Sequence, residues 1–150
     1  MVERRGCDLN PIDPTLDESR PLLLSFIWPD QSGRFQQFTE VLEVARRVPA
    51  QVDRSDAIPW LQTHLAGPCP SVATVVFHSC VMPYLSEEAR ENMQRIIVQA
   101  GQRATGDAPL AWLSMEPGIE QSDVHLTMWP GGERRLIAQS GHHGRDVKVL

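Results

Sequence analysis

Apolar residues change their spacing several times along the chain, and each change predicts an element. Residues 2–7 read as a short strand that ends where Asp8-Leu9-Asn10-Pro11 turns the chain, since Asn and Pro disfavour its continuation. An Asp- and Pro-rich loop covers residues 12–19. The run Leu22-Leu23-Leu24-Ser25-Phe26-Ile27-Trp28 then follows a proline suited to a first helical position and stops at Pro29, which predicts a short buried helix. Ser32 can cap a longer helix in which Phe35, Phe38, Val41, Leu42 and Ala45 recur at three- and four-residue steps, ended by Pro49. Residues 51–54 are a weak strand candidate. Ser55-Asp56 can cap a helix over 57–66 with the stripe Ile58, Leu61 and Leu65, stopped by Gly67-Pro68.

The clearest strand is 71–79, where Val72, Ala73, Val75, Val76 and Phe77 make the near-continuous apolar run typical of a parallel strand buried on both faces, so this segment is expected at the sheet centre. Ser86-Glu87-Glu88 opens a helix with acids at the positive end of its dipole, and Ala89, Met93, Ile96, Ile97 and Ala100 carry its buried face to Gly101. Residues 110–115 predict another buried strand. The pattern then switches to alternation at Val124, Leu126 and Met128, turns at Pro130-Gly131-Gly132, and alternates again at Leu136 and Ala138, which predicts an antiparallel hairpin. Gly141-His142-His143-Gly144 reads as a further turn, and 146–150 as a last strand. The order predicts one α/β domain: a mostly parallel sheet with right-handed crossovers, flanked by helices and ending in an antiparallel hairpin.

Charge and cysteine content narrow the function classes. A net charge of −5, with 14 Lys and Arg against 19 Asp and Glu, argues against binding a phosphate backbone, so no nucleic-acid partner is expected. The pairs Arg4-Arg5, Arg46-Arg47 and Arg134-Arg135 are too scattered to make a basic groove. Cys7, Cys69 and Cys80 give neither a disulfide framework nor a CxxC pair and are expected as reduced thiols. The first residues carry charge with no apolar run behind them, and no stretch reaches the ~18 apolar residues of a membrane span, so no membrane partner and a cytoplasmic location are expected.

Ligands of α/β sheets bind outside the carboxyl ends of the strands, which directs attention to the residues just past each predicted strand. These are Asp8, Asp56, and His78 with Ser79. Each has a plainer reading beside the functional one. Asp8 with Asn10-Pro11 is also an ordinary turn, and Asp56 an ordinary helix cap. His78 fits a hydrogen-bonded structural histidine as well as a base. Ser79 lacks a GxSxG elbow, because the local order is Phe77-His78-Ser79-Cys80-Val81, which argues against a hydrolase. Adjacent histidines between glycines point apart, so His142-His143 predicts no metal site. Apolar surroundings of Trp28 and Trp112 predict core packing over ring stacking.

Together, Gly6-Cys7-Asp8-Leu9-Asn10-Pro11, Ile27-Trp28-Pro29, Phe77-His78-Ser79 through Tyr84-Leu85, and Trp129-Pro130-Gly131-Gly132-Glu133 resemble the C-terminal portion of a bacterial uncharacterised family, domain of unknown function 2332, over nearly the whole chain. More loosely, that portion resembles the later part of a class I S-adenosylmethionine-dependent methyltransferase, a Rossmann-like fold. This resemblance implies an S-adenosylmethionine-type cofactor, with Asp8 toward the ribose, Asp56 toward the adenine, and His78 with Ser79 toward the reacting centre. It also implies that the opening strand and glycine-rich loop of such folds are missing, so the chain reads as a partial domain that needs a partner segment to bind a nucleoside-type ligand. Catalysis by this chain alone is then not expected. Either the 2–7 strand pairs directly with the 71–79 strand, or a homodimer or a missing N-terminal segment pairs at the sheet edge. A non-catalytic interaction module is the competing function.

Overall fold

A computed structural model describes residues 2–142, 144 and 146–150. The elements run β1 (Arg5–Asp8), α1 (Arg20–Ser25), α2 (Ser32–Arg47), β2 (Gln51–Arg54), α3 (Ala57–His64), β3 (Thr74–Ser79), α4 (Glu87–Gln102), β4 (Leu110–Pro117), β5 (Ser122–Trp129), β6 (Glu133–Ser140) and β7 (Lys148–Val149). This is a mixed α/β protein in two compact units, divided between Asp56 and Ala57. No described helix is long and apolar enough to cross a membrane.

In the first unit β1 and β2 pair in parallel, from Arg5 opposite Gln51 to Asp8 opposite Arg54. The Arg5 guanidinium grips both carboxylate oxygens of Asp53, at 2.9 and 3.3 Å, and so ties the first strand to the second. Helix α2 buries Leu42 and half-buries Phe35, Phe38 and Ala45, as its periodicity predicts, whereas Val41, expected on the same stripe, is 52% exposed. The segment 21–28 departs from expectation. It is helical at α1, yet Leu22, Phe26 and Trp28 are 51%, 65% and 71% exposed, and only Ile27 is buried. One turn and a half of helix has a single inward side, so an unbroken apolar run must leave most of its members outside.

In the second unit Ser86 caps α4 through its hydroxyl, which accepts the Ala89 N–H at 3.2 Å. Met93, Ile97 and Ala100 of α4 pack with Leu61 inside α3 and Leu65 just after it, against Leu110 of β4 and Trp129 of β5. The helix approaches the sheet so closely that a Cβ at Gly101 would lie 2.3 Å from the Trp129 ring. The strand before α4 is entered through Ser71, whose left-handed backbone (φ 60°) is pinned by two groups: its N–H donates to Asp107 Oδ2 at 3.0 Å and its hydroxyl to Oδ1 at 3.2 Å.

The five-stranded sheet has the order β3-β4-β5-β6-β7. Only β3 and β4 are parallel within it, and the three following pairs are antiparallel, so the expectation of a mostly parallel sheet is corrected to a mixed one. Connection length decides this. The passage from β3 to β4 contains α4 and can cross over, whereas β4 to β5 and β5 to β6 are joined by short turns at 118–121 and 130–132 that can only reverse the chain. A further expectation fails here. The 71–79 strand is an edge of the five-stranded sheet, not its centre, and in the first unit the ladder partner of β1 is β2.

Candidate functional site

Both parallel strand pairs end in polar residues at their carboxyl ends. In the first unit, Asp8 closes β1 and Asp56 follows β2 by two residues. The Ser55 N–H donates to the Asp8 carbonyl at 3.0 Å, extending the ladder past the last strand residue, so the two aspartates occupy the same carboxyl edge. Asp8 Oδ1 accepts the Asn10 N–H at 2.7 Å, an Asx turn that holds the carboxylate over the strand end. Both aspartates are exposed. The Cys7 thiol between them registers their charge: burial pushes its pKa up first, and the carboxylates of Asp56, Asp8 and Asp53 push it further in the same direction.

In the second unit, His78 and Ser79 end β3 beside β4. His78 is 7% exposed and lies opposite Ser114, which puts Trp112, Ser114 and Glu116 on its face of the sheet. The Trp112 indole N–H donates to His78 Nε2 at 3.0 Å. An indole nitrogen can only donate, so Nε2 presents its lone pair and the ring proton sits on Nδ1, which donates to Glu116 Oε1 at 2.7 Å. Glu116 accepts twice more, from the Val81 N–H at 3.1 Å and the Met82 N–H at 3.2 Å.

This network explains the backbone beside it. Cys80 adopts φ 54°, a conformation that costs a non-glycine residue on the order of 1–3 kcal/mol and is held only where its surroundings impose it. Here it bends the chain so that the next two N–H groups reach Glu116. Ser79, half-buried, directs its hydroxyl to the Cys80 sulfur at 3.9 Å. Both nitrogens of His78 are thus engaged by protein groups, and a ligand could reach Nε2 only by displacing Trp112.

The structure therefore brings Asp8 and Asp56 to one carboxyl edge, and His78 and Ser79 to another. Glu116 and Trp112 are the partners that sequence reading overlooked; their separation of four residues along one strand, which puts both on one face, was the available signal. Trp28, expected in the core, stands exposed, while Trp112 is half-buried and Trp129 buried. Of the histidine pair, His142 Nδ1 lies 3.2 Å from the Ser122 hydroxyl, and His143 falls outside the described residues. Two hollows in the second unit, of about 160 and 50 Å³, touch none of the four expected site residues; the larger is lined by Leu126, Met128, Pro130, Gly131, Glu133 and Arg135.

The model of a family described as an uncharacterized protein conserved in bacteria matches residues 1–148. No curated protein and no solved structure matches the chain.

Proposed function

The chain belongs to that family of uncharacterised bacterial proteins, domain of unknown function 2332, and we propose that it binds a nucleoside-type ligand even without a partner segment, catalysing no reaction by itself. The reading takes both units as parts of one methyltransferase-like α/β domain, with S-adenosylmethionine or a relative as the ligand. What carries it is the placement of Asp8 and Asp56 at the carboxyl edge of the parallel β1–β2 pair, where folds of this kind use carboxylates to accept hydrogen bonds from ribose hydroxyls and the adenine amine. The Asx turn fixes Asp8 in advance, which lowers the ordering cost of binding. His78 holds the shape of its own strand end in this reading, and Ser79 offers the hydroxyl there. A general base is not among their roles, because the His78 lone pair is spent on Trp112.

Calorimetric titration with S-adenosylmethionine, S-adenosylhomocysteine and adenosine tests the proposal. One-to-one binding is expected, weakened roughly tenfold by Asp8→Asn, the equivalent of one charge-assisted hydrogen bond. Absence of heat with all three compounds at millimolar concentration would sink it. A second reading, a module for association with another polypeptide, has its own support in the exposure of Val75 and Phe77 on β3, at 62% and 61%.

A further inference from the structure

Edges of sheets expose rows of unpaired N–H and C=O groups, and proteins guard them with charge, proline, bulges or brevity. Three of the edges here are guarded. β7 is two residues long and carries Lys148. β1 and β2 are four residues each, with Arg5 and Asp8 on one and Asp53 and Arg54 on the other. β3 is different: it runs six residues, its register with β4 is unbroken, and no Asp, Glu, Lys or Arg occurs from Gly67 to Ser86. Proline is absent from the strand, and its only ladder partner among the described residues is β4.

The side chains along this edge fit a copy of themselves. Two identical edges can close on each other only about a two-fold axis, which makes the strands antiparallel. In an antiparallel pair, directly opposed residues share a face, so the axis must pass through a residue. Placed at Val76, it sets Val75 opposite the partner's Phe77, and Phe77 opposite the partner's Val75. These are the two most exposed side chains of the strand, and an aromatic opposite a β-branched residue is a favourable cross-strand pair. On the other face, Thr74 meets the partner's His78. No like charges are opposed anywhere along the strand.

We propose that the chain self-associates through β3, two copies pairing antiparallel along Thr74–Ser79 about a two-fold axis at Val76. Growth stops at two. Pairing consumes the unguarded edge of each copy, and the opposite edge of the sheet is the short, lysine-bearing β7. The inference is independent of nucleoside binding, since it uses no residue of the β1–β2 carboxyl edge.

The test is the mass of the whole chain in solution from about 1 µM to about 1 mM, together with hydrogen exchange of the amides of Val75, Phe77 and Ser79, which alternate with the β4-bonded amides of Thr74 and Cys80 and so face the open edge. A concentration-dependent dimer is expected, with these amides protected in proportion to the dimer. Val75→Lys combined with Phe77→Lys opposes lysines at both cross-strand pairs and should raise the dimer dissociation constant roughly tenfold or more. The two positions face solvent, so circular dichroism of the double variant should be unchanged. Met128→Lys, on the same sheet face but away from the edge, should leave the dimer intact. A monomer throughout, with these amides either exchanging freely or already protected, overturns the proposal. So does a dimer that survives the double substitution, or one that Met128→Lys abolishes.

Discussion

Three donors converge on Glu116: the His78 ring and the N–H groups of Val81 and Met82. Each would be left without this acceptor by Glu116→Ala, and a deserted partly buried donor costs about 1–3 kcal/mol. The expected loss is about 2–4 kcal/mol in denaturant unfolding, with Glu116→Gln costing less because its amide oxygen still accepts. A loss within about 0.5 kcal/mol for Glu116→Ala would mean that water replaces the carboxylate freely. His78 was legible in the sequence as a residue ending a buried strand, but its partners were not. Which acceptor meets a histidine depends on the register of the neighbouring strand, and one chain's spacing does not encode that register before the sheet forms. The same holds for Asp8. Its turn was legible locally from Asn10-Pro11, whereas its sharing of an edge with Asp56 required the β1–β2 pairing.

At the scale of elements, what was legible is what depends on near neighbours. The serine cap and the apolar stripe of α4, and the alternation of β5 and β6, are properties of consecutive residues, and these elements form where expected. The place of β3 is a property of the whole sheet. Its apolar run declares that its faces are apolar, not which strands adjoin it, so a segment read as central is an edge. Close approach of α4 to β5 supplies a sharp test of element packing. Gly101→Ala adds a Cβ 2.3 Å from the Trp129 ring, and overpacking of a buried contact costs about 1–3 kcal/mol. Alanine's better helix propensity returns at most about 1 kcal/mol, so the net effect is destabilising. Gly33→Ala in α2 meets nothing within 4 Å and should be neutral to stabilising by up to about 1 kcal/mol. The thermal unfolding midpoint should therefore fall for Gly101→Ala and hold or rise for Gly33→Ala, and a stabilised Gly101→Ala protein would show that the helix lifts from the sheet without cost.

For the molecule as a whole, burial is distributed very unevenly between the two units. The cluster of Leu61, Leu65, Met93, Ile97, Ala100, Leu110 and Trp129 lies entirely beyond Ala57, whereas the buried apolar residues before it are Ile27 and Leu42. Small units bury too little surface to offset chain entropy, and two buried apolar side chains make a slight core for some fifty residues. Residues 57–150 expressed alone should then unfold cooperatively, with Trp129 fluorescence reporting the transition, and should keep the β3 association because that edge lies within them. Residues 1–56 alone should give no cooperative transition. The comparison also bears on ligand binding, since Asp8 and Asp56 belong to the unit with the smaller core: a nucleoside that binds them stabilises that unit by mass action, and added ligand should slow hydrogen exchange at 5–8 and 51–54 in the whole chain. Equal cooperativity of the two fragments would show that the first unit draws its stability from its β1–β2 ladder and the Arg5–Asp53 pair, which burial alone does not predict.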